Sequence, residues 1–306
     1  MARTAAQRAN GSRITDYISL GVIAKTFPRE KVLECLTASG AQTQRHRDLP
    51  NHVVVYYVIA MALFMDVSCK EVLRILLEGI RWLVGASQRV RVTGKSGISQ
   101  ARSRVGAEAL GRLHDAVVGP IATAPTRGAW YRRWRLTAID GSTLDVADTQ
   151  ANQTAFGRPR NGQSRGAFPQ IRFVSLVEIE YTLEGPAQRE ERYRLLTNLL
   201  DPLEAPAEEL AARYAERWGI EGALDELKAH LRGKRVVLRS KQPELVRQEL
   251  YGLLLAHFAI RGLMHEAAQQ ADLDPDRLSF VHAVRVVRRK LPVFGAISPS
   301  GEVGVS

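Results

Sequence analysis

The sequence predicts an α/β protein in two parts, a helical module over residues 12–120 and a small sheet with large helices over 130–291. Three observations predict it. Before residue 120, apolar residues recur at spacings of three and four, the signature of helices with one buried face. Near residue 130 the pattern changes to alternating or continuous apolar runs, interrupted at Asp-Gly, as strands and turns require. After residue 205, two long helical patterns return, so the second part mixes both element types.

Taken in order, "ITDYISLGVIAKTF" is a helix, and Pro28 opens a second, "PREKVLECLTASG", which stops at Gly40. The loop "AQTQRHRDLP" leads into "HVVVYYVIAMALFMDV". That apolar run is too short for a membrane span and reads as a core helix. In "SCKEVLRILLEGIRWLVG", Ser68 is placed to cap the helix over Glu71. "ISQARSRVGAEALGRLHDAVV" continues the pattern, and Pro120 and Pro125 bound the module. "WRLTAIDGSTLDVAD" reads as strand, turn, strand, and "FPQIRFVSLVEIEYTLE" as the next strand. "APAEELAARYAERWGIEGALDELKAHLRG" is the strongest helix, ended by Gly233. "VVLRS" is a short strand, and "PELVRQELYGLLLAHFAIRGLMHEAAQQA" a long buried helix. Residues 1–11 and 292–306 read as flexible tails. No helical pattern falls between Trp130 and Asn198, although strands of one sheet ordinarily need crossover helices; "LVEIE" and "YTLEG" abut directly.

With 306 residues, 45% hydrophobic and 25% charged, a folded soluble chain is expected. Lys and Arg number 43 against 32 acids, a net +11, which points to a polyanionic partner. Cys35 and Cys69 form no motif and read as reduced core residues. No secretion signal opens the chain, so a cytoplasmic location without membrane is expected.

One helix carries an unusual stripe. Tyr214, Arg217, Glu221 and Lys228 fall within an arc of roughly 60° on a uniform helix, bordering the buried face instead of opposing it. A solvated face is the plain alternative. Basic residues cluster four times: Arg81, Arg89, Arg91, Lys95, Arg102 and Arg104; then Lys228, Arg232, Lys234, Arg235, Arg239 and Lys241; then "RGAWYRRWR", whose aromatics could stack on bases; and "RVVRRK". "KSGISQARSRVG" suits a turn feeding a helix whose arginines face DNA. Four such runs favour nucleic acid, with binding that falls steeply as salt rises. Asp140 ends an apolar run before Gly141. It is either a site acid at a strand end or part of a hairpin turn. Paired with Glu221 it could hold a divalent ion, since carboxylate oxygens suit hard cations.

The combination resembles the bacterial insertion-sequence transposases of the DDE class, specifically the insertion element 4 group. Their Tyr-Arg-Glu-Lys signature is matched at Tyr214, Arg217, Glu221 and Lys228, and their first aspartate motif by "IDGSTLDVADTQANQTAFG", with Asp140 as the catalytic aspartate. "FPQIRFVSLVE", "LLTNLLDP" and "RSKQPELVRQELYGLLLAH" agree further, and residues 14–110 are similar to the family's N-terminal domain. The resemblance implies a ribonuclease-H-like core, here truncated, in which two aspartates and a glutamate hold two Mg²⁺ ions, with Mn²⁺ as the alternative. It implies double-stranded DNA and transposon ends as partners, and hydrolysis and strand transfer as chemistry. A homodimer or a mixed dimer with a full-length relative is implied, in a bacterial, nucleoid-associated setting. Tyr214, Arg217 and Lys228 would contact DNA, joined by Arg102, Arg104 and Arg232 from the basic runs.

One departure is decisive for the expected activity. The family's second aspartate lies on a strand well before the glutamate helix, and no such segment is present here. The junction at Glu180 and Tyr181 reads as an internal deletion, leaving Asp140 and Glu221 as two carboxylates where three are needed. Glu178 and Glu180 are the nearest substitutes in sequence. The expectation is a transposase descendant with impaired catalysis and an incomplete two-ion site. The alternatives are a non-catalytic protein that occupies element ends, a metal-dependent nuclease that cannot join, and an unfolded remnant.

Overall fold

The computed structural model describes residues 15–43, 49–84, 94–123, 126, 130–135, 137–161, 164–178, 201–214, 218–232 and 237–289. The predicted tails and the Glu180–Tyr181 junction lie outside them. The fold is mixed α/β, with an N-terminal helical region and a small sheet region after it. Among the described residues six helices come first: α1 (Thr15–Thr26), α2 (Arg29–Ala38), α3 (Asn51–Leu63), α4 (Cys69–Val84), α5 (Lys95–Val105) and α6 (Glu108–Val117). Helix α3 is the axis of this group. It is apolar on every face and buried from Val53 to Met65, as expected of a helix enclosed by others. Pro28 and Ser68 act as read from sequence: Pro28 precedes α2, and the Ser68 hydroxyl accepts from the Glu71 N–H at 3.2 Å. Cys35 is buried and Cys69 half-buried, both as free thiols. Where one helical pattern had been expected, α5 and α6 are separate. Gly106 between them takes a positive φ of 70°, a conformation that glycine adopts without steric cost.

The sheet region opens with a two-residue hairpin, β1 (Trp130–Tyr131) and β2 (Trp134–Arg135), and continues with β3 (Thr137–Asp145). Helix α7 (Gln150–Phe156), the hairpin β4 (Arg160–Asn161) and β5 (Ser164–Arg165), and β6 (Gln170–Glu178) follow. β3 and β6 pair antiparallel from Thr137↔Glu178 to Asp145↔Gln170. Two expectations are corrected here. Asp-Gly does not turn: Asp140↔Ser175 and Gly141↔Val174 are rungs of the ladder, because the pairing partner arrives from residues 170–178 instead of folding back locally. And a helix does lie between 130 and 198. Helix α7 is only seven residues long and is fixed by its cap, in which Thr149 Oγ1 accepts from the Asn152 N–H, so periodicity over a longer window could not register it. The "VVLRS" strand reduces to a single parallel bridge, Val146↔Leu238.

The helical run after residue 205 is α8 (Ala207–Tyr214), α9 (Trp218–Asp225) and a π-helical segment, Glu226–Leu231, closed by a hydrogen bond from the Arg232 N–H to the Leu227 carbonyl. Helix α10 (Pro243–Gln270) and α11 (Phe280–Arg289) complete the order. Helix α10 lies against α3 so closely that a Cβ on Gly252 would sit 2.6 Å from the Val58 carbonyl. One hydrophobic cluster therefore runs through both halves, from Ile23 and Val58 to Leu144, Ile171, Leu231 and Val287.

The seam between the halves is also polar. Arg102 on α5 is 5% exposed. Its guanidinium donates to Gln248 Oε1 at 3.1 Å, Ser240 Oγ at 3.0 Å and the Leu245 carbonyl at 2.7 Å, and it faces Glu249 at 3.6 Å. Gln248 returns a bond to the Arg102 carbonyl at 2.7 Å. Glu249 accepts from the Arg239 N–H at 2.8 Å and from the Ser240 hydroxyl. Arg239 reaches on to the Val67 carbonyl at 2.5 Å.

Truncating one partner of such a node leaves a buried charge uncompensated, which costs about 3–5 kcal/mol. Arg102→Ala is expected to lower stability by that amount in urea unfolding, with Arg102→Lys restoring less than half; a loss under about 1 kcal/mol would show the node to be peripheral. A second expectation concerns pH. Burial lowers His52, assisted by Arg29, and burial lowers His265, opposed by Glu266. Both histidines are therefore neutral in the fold at pH values where the unfolded chain, at 6.5, binds protons. Their contribution is complete above that value and declines as pH falls below it. The denaturation midpoint is expected to drop between pH 7 and pH 5, and less so in a His52→Gln/His265→Gln variant. An equal drop in both proteins would assign the effect elsewhere.

Candidate nucleic-acid interface

Alternation along β3 puts Asp140, Ser142 and Leu144 on one face. Leu144 is in the core, and Lys228, from the π-helical segment, donates to Ser142 Oγ at 3.0 Å. Asp140 therefore projects to the side of the sheet where the α9–π segment packs. Asp140 is exposed, and one carboxylate oxygen takes the N–H of Gly141 at 2.7 Å. Farther along the ladder, Gln170 holds Asp145 at 2.9 Å, and Asp148 is engaged by Arg158. Of the described residues near Asp140, Thr137 and Gly141 are exposed, and Val174 is 75% exposed.

Of the signature positions, Tyr214 ends α8 and Glu221 lies within α9, which packs on β3; their side chains, with Arg217, lie outside the described residues, as does the side chain of Glu178. Lys228 is described, yet not where a uniform helix would put it. The π winding has more residues per turn than an α-helix, so positions after 226 rotate away from the arc extrapolated from Tyr214. The neighbouring acid Glu226 turns instead to α10, accepting from His257 Nε2 at 3.0 Å and Arg261 Nε at 2.9 Å. It locks the π segment onto α10.

The fold redirects several cations expected at DNA. Arg102 is the buried node described above, not a groove-facing residue. Its charge was conspicuous in sequence, but its partners lie some 140 residues later. Arg232 is 9% exposed and donates to the Lys228 carbonyl at 3.3 Å. Burial pulls its pKa down and Asp145 partly restores it. Arg104 is half-buried and reaches the Leu49 carbonyl at 3.4 Å. In the aromatic run, Arg132 meets Glu209 at 3.4 Å and Arg133 meets Glu204 at 3.1 Å, while Tyr131 stacks on Trp134 at 5.9 Å. That hairpin is satisfied largely by its own chain.

Beside the sheet is an open groove of about 530 Å³, bounded by Ser142, Thr143, Arg172, Phe173, Val174 and Lys228. Arg172 was not singled out in the sequence. The signal available was a lone cation between Ile171 and Phe173 in an apolar strand, which period-two geometry sends to the opposite face from its neighbours. As for metal, among the described residues no three His, Cys, Asp or Glu side chains come close enough to hold an ion. The described donors alone do not make up a two-ion centre, and the Glu221 side chain lies outside them. No described helix is long and apolar enough to cross a membrane.

Comparison with known proteins agrees with the motif pattern. The N-terminal family model of insertion element 4 transposases matches residues 17–115, and the transposase DDE domain model matches residues 160–259. Transposase InsG for insertion sequence element IS4 of Escherichia coli strain K12 is 25% identical over 374 residues, covering 88% of this chain and 82% of the relative. The candidate transposase InsZ of the same strain is 28% identical over 169 residues, 53% of this chain and 51% of the relative. No solved structure matches. The chain is related to the insertion element 4 DDE transposases.

Proposed function

We propose that this chain is a non-catalytic DNA-binding protein descended from a transposase, one that occupies element ends without cutting or joining them. The carrying observation is the mismatch between its surviving parts: a cation at the sheet, but no set of three metal donors among the described residues. The alignment with InsG supports a missing segment. It runs over 374 positions, of which 88% of a 306-residue chain supplies only about 270. Roughly a hundred positions of the relative therefore face no residue here, a length that accommodates the strand expected to bear the second aspartate. With Asp140 and Glu221 alone, at most a partial inner shell can form, and phosphodiester hydrolysis loses the paired stabilisation of attacking and leaving oxygens. Binding does not need that pair. Net charge +11, Lys228 at Ser142, two residues along β3 from Asp140, and the signature positions Tyr214 and Arg217 support retained affinity for double-stranded DNA.

The second reading, an impaired transposase using Mg²⁺ or Mn²⁺, is favoured by the packing of α9 on the strand that carries Asp140. One experiment separates the two. Labelled duplexes from the DNA bordering the chain's own coding sequence are incubated with the purified protein and Mg²⁺ or Mn²⁺. The expected result is a retarded complex, tighter than with scrambled DNA, and no nicked or joined product. Nicking that Asp140→Asn or Glu221→Gln abolishes would restore the transposase reading, and nicks without joining would assign a nuclease.

A further inference from the structure

A second groove, of about 380 Å³, opens beside the first and is bounded by Phe156, Gln170, Ile171, Arg172 and Arg247. Arg172 lines both grooves, and its chain neighbours Ile171 and Phe173 each line one, so the two adjoin across β6. Among the described residues, no carboxylate lines either. Phe173 shares the face of Ser142, which Lys228 contacts, and Arg172 lies on the other face, so the path crosses β6 with cations and rings interleaved: Lys228, Phe173, Arg172, Phe156, Arg247. The two phenylalanines are half-buried, so each is anchored while keeping exposed surface. The Arg247 guanidinium lies over the Phe156 ring at 5.6 Å. Its one described ionic partner, Glu244, is 3.7 Å away with both side chains about half exposed, a pairing too weak to withhold it from a phosphate. Among the described residues Lys228 donates to the Ser142 hydroxyl, and Arg172 is exposed.

We infer that the joined grooves are a track for a single, unpaired DNA strand, running from Lys228 over Arg172 to Arg247. The cations space the phosphates, and the rings of Phe173 and Phe156 receive bases. The rings decide the form of the ligand. In a duplex the base faces are already stacked on one another, and only phosphates would reach this surface. An unpaired strand presents its base faces, which aromatic side chains bind with little regard to sequence. This rests on the DNA-binding reading above and adds to it a site and a strand state that the signature residues do not specify.

The test uses the full chain, a fluorescein-labelled 20-nucleotide single strand of mixed sequence and the corresponding duplex, with affinity read by anisotropy across salt. Arg172→Ala/Arg247→Ala is expected to weaken single-strand binding by about tenfold or more at low salt. It should make the logarithmic salt dependence shallower by about 1.4, the value for two lost phosphate contacts on a single strand, and change duplex affinity by less than about threefold. Arg172→Lys/Arg247→Lys should keep the wild-type salt slope, since the charge is retained, and a matching circular-dichroism melt shows each variant folded. Should the alanine pair unfold, Arg172→Gln/Arg247→Gln carries the same expectation. Unchanged single-strand affinity in a folded variant overturns the track and leaves the DNA-binding reading intact. Equal losses on both forms overturn the single-strand assignment. A wild-type chain that binds neither form overturns the reading itself and the track with it.

Discussion

The buried guanidinium of Arg102 is the constraint on which the rest of the architecture depends. A charge so deeply enclosed is tolerated only if its donors are matched and a counter-charge lies near. Gln248, Ser240, the Leu245 carbonyl and Glu249 meet that demand, and all of them come from the far end of the chain. Satisfying Arg102 therefore forces the segment from Arg239 to Glu249 to dock on α5, which sets where α10 starts. Gly252 then lets α10 run in contact with α3. The two parts distinguished by sequence pattern share one core, and loss of the seam would disturb both.

The consequences reach the sheet. Leu238, next to the docked segment, forms the parallel bridge to Val146, and Asn152 of α7 donates to the Ser240 carbonyl at 3.0 Å. Glu226 ties the π segment to α10 through His257 and Arg261. Lys228 is thereby delivered to Ser142 by a scaffold that begins at the seam. One end of the β3–β6 ladder is fastened into the core through Leu144 and Ile171, while Asp140 and Val174, farther along it, are exposed. A surface built this way can hold a polyanion, because cations need only be positioned. A two-ion centre needs three converging carboxylates as well, and the described residues do not bring them together.

The long helices were legible because a buried face repeats many times along α4 or α10, and their ends carry Ser68 or Pro243 as punctuation. Helix α7 was not, since seven residues held by a cap carry too few repeats. Asp140-Gly141 looked like a turn because local chemistry cannot announce a ladder partner thirty-odd residues away. The same blindness to distant partners made Arg102 read as a DNA contact and hid Arg172, whose role depends on what lies beside it in space. Lys228 stood out in the sequence as part of the stripe, yet its direction is set by a π segment that a uniform 100° wheel cannot represent. The α/β class was legible throughout, from the switch of periodicity near residue 130.

The central claim is that grip on DNA has been separated from metal chemistry in this chain. The most direct measurement is the affinity of wild-type protein for a labelled duplex in EDTA and again in millimolar Mg²⁺, at fixed ionic strength. The account predicts the same dissociation constant in both, within about twofold, because the contacts come from side-chain cations and their released counterions. Binding that collapses by tenfold or more in EDTA would contradict it, since the ion would then be holding the DNA.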